Sequence, residues 1–114
     1  MNHQRVLTAL ERLGLSQTDA QVYIHLAIKG PQDVGNIAEA LKLEEKLLFQ
    51  SLKNLQNKGV VDSTLEQSAL FSALPFNKTL ELLVNVHLKE TQNIEQKKDE
   101  ILSIWQKMVN GSTG

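Results

Sequence analysis

KLEEKLLFQSLKNLQNKGVV, residues 42–61, decides the fold. Leu48, Ser51, Leu52 and Leu55 recur at steps of three and four, the spacing of one face of an α-helix. Gly59 ends the pattern, as glycine does in the left-handed position after a helix. Beyond it the period changes to two. Val61, Ser63 and Leu65, then Ala69, Phe71 and Ala73, alternate as two short strands of a hairpin spanning residues 60–74. A helix of about 45–57 running straight into a hairpin is the feature from which the remaining elements are placed.

Upstream, Ile37, Ala38 and Leu41 give a short helix over 34–41 that Asp33 caps, separated from the next helix by two or three residues. The two form a tight helix-turn-helix. Before them, Val6, Leu7, Leu10 and Leu13 predict a helix over 3–13 that ends at Gly14, with Leu15 folding back onto Leu10. Ser16-Gln17-Thr18-Asp19 matches a capping box, in which Ser16 and Asp19 satisfy free amides. A second helix starting near residue 17 turns Ala20, Tyr23, Ile24 and Ala27 inward and stops at Gly30-Pro31.

Downstream, no glycine or proline interrupts residues 77–109, predicting a helix about 50 Å long. Leu80, Val84, His87, Thr91, Ile94, Lys98, Ile101, Trp105 and Met108 follow alternating steps of four and three, the seam of an imperfect coiled coil. Polar Thr91 and Lys98 weaken the seam and can set register. The first half, through His87, is also suited to packing on the preceding domain, whereas the second half needs a partner for Ile94, Ile101 and Trp105. The expected interface is therefore Leu80, Val84, His87, Thr91, Ile94, Ile101, Trp105 and Met108, joining two copies, with the first helix able to contribute.

The fold class is mainly α with a small β-hairpin: a winged helix-turn-helix over 1–75, a long dimerisation helix over 76–109, and a flexible tail over 110–114. At 114 residues, with 19 leucines and 41% apolar residues, one core is expected. The absence of cysteine excludes disulfides, thiolate zinc sites and cysteine nucleophiles. No apolar run reaches the roughly 20 residues of a membrane span and the N-terminus lacks a signal-peptide core, so a cytoplasmic location without membrane contact is expected. No glycine-rich phosphate loop, paired nucleophile and base, or clustered acid pair supports an enzyme, a cofactor or a metal site. His87 reads as an interface or core residue and Trp105 as an apolar anchor.

The blocks LGLSQTDAQVYIHLAIKGP, NIAEALKL, LKNLQNKGVV and LFSALPF, in this order across residues 9–76, resemble the TrmB family of archaeal transcription regulators and, more loosely, MarR-like winged helices. The resemblance implies a dimer on double-stranded DNA, with the fourth helix in the major groove and the hairpin wing on the backbone. Family members often carry a C-terminal sugar-binding domain; residues 1–114 leave no room for one, so sugar sensing is not carried over and no small-molecule effector is predictable. The chain departs from the family in having Glu45 where a basic residue is usual, followed by Lys46 and Leu47. Its hairpin also has no lysine or arginine and carries Asp62 and Glu66.

The outer stripe of the fourth helix contains Glu45, Lys46, Phe49, Gln50, Lys53, Asn54 and Asn57, with Lys58 at its end. Glutamine and asparagine can bridge adenine N6 and N7, and lysine can reach guanine or phosphate. The expected DNA-binding residues are Lys46, Gln50, Lys53, Asn54, Asn57 and Lys58. Glu44 and Glu45 have three readings: they start the helix by complementing its dipole, one accepts from cytosine N4, or they deter phosphate. Residues 1–75 hold seven basic and eight acidic side chains. Two or three phosphate contacts per protomer would thus give modest affinity and a shallow salt slope. The alternative is a winged-helix module that holds a protein partner and reads little or no DNA.

Overall fold

The computed structural model describes residues 2–64 and 69–111, with the side chains of Asn2, Thr91 and residues 93–96 excepted. Four helices come first: α1 (Asn2–Arg12), α2 (Gln17–Lys29), α3 (Val34–Leu41) and α4 (Glu45–Asn57). Strands β1 (Val61–Ser63) and β2 (Phe71–Ala73) follow, then α5 (Phe76–Gln96) and α6 (Lys98–Gly111). The expected class, mainly helical with one hairpin, is what the chain adopts.

The hairpin pairs antiparallel, Val61 with Ala73, Asp62 with Ser72 and Ser63 with Phe71. It is shorter than the alternation suggested. Ala69 lies outside the strand and packs against the core instead, while Leu65 and Glu66 fall outside the described residues. The sheet gains a partner that the sequence did not announce: Gln32 forms an antiparallel bridge with Phe71. The Gln32 N–H donates to Phe71 O at 3.0 Å and the Phe71 N–H to Gln32 O at 2.8 Å. His25 Nε2 donates to Gln32 Oε1 at 2.6 Å, fixing this one-residue strand to α2.

The core lies around α2, which packs against α1, α3, α4 and β2. Ala20, Tyr23 and Ile24 are buried as expected, but so are Val22 and Leu26, whereas Ala27 is exposed. A helix enclosed by four neighbours buries most of its circumference, so a one-sided reading undercounts its core residues. Leu7, Leu10, Leu15, Ile37, Leu48, Leu52, Leu55, Val60, Val61, Phe71 and Leu83 complete the cluster. Each such leucine contributes about 1.5–3 kcal/mol by burial.

Two compact units divide the chain, Met1–Leu83 and Val84–Gly114. In the first, the start of α5 buries Thr79 and Leu83, one turn apart, with Leu82 packed beside them. Leu80 is half-buried. In the second, α6 buries none of its residues. The single helix expected over 77–109 is divided by a turn at Lys97. Thr91 and Asn93 are weak helix formers, and Asp99 and Glu100 in the first turn of α6 favour a restart through the helix dipole.

Candidate nucleic-acid interface

α4 owes its orientation to its inner face. Leu48, Ser51, Leu52 and Leu55 are buried, leaving Lys46, Gln50, Lys53, Asn54 and Asn57 exposed on the outer stripe, with Lys58 exposed at the C-cap. All six expected DNA-binding side chains are therefore accessible and share one helix and its end. Phe49 and Leu47 are also exposed, at 53% and 43%.

A buried polar contact holds α4 in rotation. The Ser51 hydroxyl donates to Asp19 Oδ1 at 2.5 Å, and both side chains are almost fully covered. This corrects the capping-box expectation in one half. Ser16 Oγ does accept from the Asp19 N–H at 3.0 Å, but the Asp19 carboxylate turns to α4 rather than back to its own helix start. A four-residue motif carries no signal for a partner 32 positions away.

A second contact holds the hairpin. Gln56 Nε2 donates to Ser63 Oγ at 2.9 Å, tying the end of α4 to β1. Leu74 O, where the hairpin ends, accepts from the Tyr23 hydroxyl at 2.5 Å and from Thr79 Oγ1 at 3.3 Å. Asp62, on the exposed hairpin face, accepts from the Ser63 N–H at 2.8 Å. Neither Asp19 nor Gln56 stood among the expected site residues; their hydrogen bonds tie α4 to α2 and to β1.

Glu44 is the N-cap of α4 but makes no side-chain cap hydrogen bond. What it and Glu45 in the first turn can add to the helix start is therefore charge against the helix dipole, about 0.3–1 kcal/mol each. Both are exposed.

Among the expected interface residues, Val84 and His87 of α5 are exposed, as are Ile101, Trp105 and Met108 of α6, at 53%, 58% and 65% for the last three. The side chains of Thr91 and Ile94 lie outside the described set. Among the described residues, no group of three or more histidine, aspartate and glutamate side chains is arranged to hold a metal ion.

The chain matches the sequence model of the family described as sugar-specific transcriptional regulator TrmB over residues 10–77. No curated protein matches it. Among solved structures it is similar to a possible transcriptional regulator from Methanosarcina mazei, at 18% identity and TM-score 0.61, over 77% of this chain and 80% of the other. TrmBL2, an archaeal chromatin protein with a novel mode of DNA binding, aligns at 17% identity and TM-score 0.72 over 96% of this chain and 45% of its own. The chain thus spans less than half the length of TrmBL2. MepR, a regulator of a multidrug efflux pump in Staphylococcus aureus, aligns at 15% identity and TM-score 0.57, over 96% of this chain and 88% of its own. The structural likenesses agree on the winged-helix fold, and the family match covers well over half of the sequence: the chain belongs to the TrmB family and is a transcriptional regulator of the winged-helix type.

Proposed function

We propose that the chain acts as a homodimer on double-stranded DNA, with α4 in the major groove, the hairpin 60–74 along the backbone, and the C-terminal helices joining two copies. The observation that carries this reading is the α4 stripe. Its polar and basic side chains are exposed along one face, while Asp19–Ser51 and Gln56–Ser63 brace the helix from behind and at its end. Lys46, Lys53 and Lys58 would meet phosphate or guanine, and Gln50, Asn54 and Asn57 base edges. Among the described residues no helix is long and apolar enough to cross a membrane, and the proposed place of action is the cytoplasm.

The test is a fluorescence titration of the chain against duplexes from upstream of its own gene, at low and then rising salt. Lys53→Glu replaces attraction with repulsion at the centre of the stripe and is expected to weaken binding by about ten- to a hundredfold. Glu45→Ala removes a repulsive charge and is expected to strengthen it about two- to fivefold. Failure of the unaltered chain to bind any duplex at low salt would overturn the reading. A second reading, a module for a protein partner, is favoured by the hairpin without a basic residue and the exposed Leu47 and Phe49; under it, the duplexes remain unbound and substitutions on α4 disrupt a protein complex.

A further inference from the structure

The polar stripe leaves two exposed apolar side chains of α4 unused, Leu47 and the more exposed Phe49. Phe49 is 53% exposed, on a helix whose inner positions are filled by Leu48, Leu52 and Leu55. It follows Lys46 by three residues and precedes Lys53 by four, so its ring shares a ridge with both lysines. Gln56, two turns further along the same side, is hydrogen-bonded to Ser63 of β1, which places Phe49 on the flank of α4 that turns toward β1.

We infer that Phe49 is a specificity-determining residue that reads the C5-methyl group of thymine, giving the chain a preference for A·T pairs beneath α4. The inference rests on the DNA-binding reading proposed above. A phenyl ring has no donor or acceptor, so it cannot use guanine O6 and N7, cytosine N4 or adenine N6 and N7. Among the four standard bases, the thymine methyl is the apolar group that a base pair displays in the major groove. Other side chains of the outer stripe are compatible with this. Gln50 and Asn54, exposed on the same helix though not on the Phe49 ridge, suit adenine, and each A·T pair presents adenine on one strand and the methyl on the other. The outer stripe as a whole thus carries partners for both halves of such a pair.

The charge balance makes such a contact consequential. Residues 60–74 bring no lysine or arginine, and the chain carries a net charge of -1, so phosphate attraction provides limited affinity. An apolar contact releases no counterions and persists as salt rises.

Duplexes enriched by the full chain from a random pool would be resynthesised with deoxyuridine in place of thymidine, which deletes the methyl and keeps every hydrogen-bonding group. Binding would then be compared by fluorescence anisotropy for the unaltered chain, Phe49→Ala and Phe49→Leu. The expected result is a loss of about fourfold per contacted methyl for the unaltered chain, from the burial of one methyl, with the ratio unchanged between low and moderate salt. Phe49→Ala is expected to bind thymidine and deoxyuridine duplexes alike, and Phe49→Leu to retain part of the discrimination. Equal binding of both duplexes by the unaltered chain, with DNA affinity otherwise intact, overturns the inference while leaving the proposed function standing. No binding to any duplex at low salt overturns both, and a Phe49→Ala defect confined to protein association assigns the ring to a protein surface instead.

Discussion

Lys42 occupies a position that the chain elsewhere gives to glycine. At the end of α1, the Leu15 N–H donates to Leu10 O and the Gly14 N–H to Glu11 O, both at 3.1 Å, with Gly14 at φ +107°. At the end of α4, the Val60 N–H donates to Leu55 O at 3.1 Å and the Gly59 N–H to Gln56 O at 3.0 Å, with Gly59 at φ +80°. These are Schellman ends. α3 closes with the corresponding Leu43 N–H to Ala38 O bond at 3.0 Å, but Lys42 takes the left-handed conformation at φ +55°. An L side chain there costs about 1–2 kcal/mol, partly offset by the smaller backbone entropy that lysine loses on folding compared with glycine. Lys42→Gly is therefore expected to raise stability by about 0.5–1 kcal/mol in urea unfolding, and an unchanged or lowered midpoint would contradict this account. The two glycine ends were legible in the sequence because glycine follows each leucine period. The α3 end was legible only from the shortness of the gap to α4. The exposed stripe was legible for the same reason as the helix itself: once Leu48, Ser51, Leu52 and Leu55 point inward, the 3.6-residue period puts Lys46, Gln50, Lys53 and Asn57 outside. The role of Asp19 was not, since its partner is set by tertiary packing rather than by neighbouring residues.

At the scale of elements, Tyr23 joins α2, the end of the hairpin and α5 through the Leu74 carbonyl that Thr79 shares. Tyr23 is fully buried, and burial pushes its phenol above the usual value of 10.0, against a smaller opposing effect of the nearby Thr79 hydroxyl. Because the folded-state value is raised, the stability linked to this proton is complete below about pH 10 and is lost as pH rises through the folded value. Tyr23→Phe is expected to cost about 1 kcal/mol at neutral pH. Denaturant titrations of both proteins should show the gap between them narrowing above about pH 10; a gap that stays constant would assign the cost to packing alone. α2 also shows why some of the fold was hard to read. Buried by α1, α3, α4 and β2, it shows no clean polar face, so its apolar period does not mark Val22 and Leu26 as core and points Ala27 inward. Gln32 contributes a one-residue strand, too short for any alternation to reveal. The turn at Lys97 lacks glycine and proline, the two residues on which sequence punctuation mainly rests.

For the whole molecule, charge and apolar surface lead to one demand. Seven basic and eight acidic side chains in residues 1–75 give a single winged helix little electrostatic hold on DNA. α6 meanwhile exposes Ile101, Leu102, Ile104, Trp105 and Met108 and buries nothing. Dimerisation would address both, doubling the phosphate contacts and covering large apolar side chains worth about 1.5–3 kcal/mol each when fully buried. With about three phosphates per protomer, the slope of log affinity against log salt would be near −5 for a dimer and about half that for a monomer. A symmetric dimer would also favour half-sites about 10 base pairs apart, one turn of the duplex. Trp105→Asp places a charge at the centre of the α6 face and is expected to convert a species of twice 12.8 kDa to one of that mass in light scattering, and to halve the salt slope. The melting of the Met1–Leu83 unit should be unaffected, because Trp105 lies outside it. A variant that keeps both the dimer mass and the full slope would place the contact between copies elsewhere, and an unaltered chain that is monomeric yet shows a slope near −5 would leave the helix and wing as the whole of the DNA-binding surface.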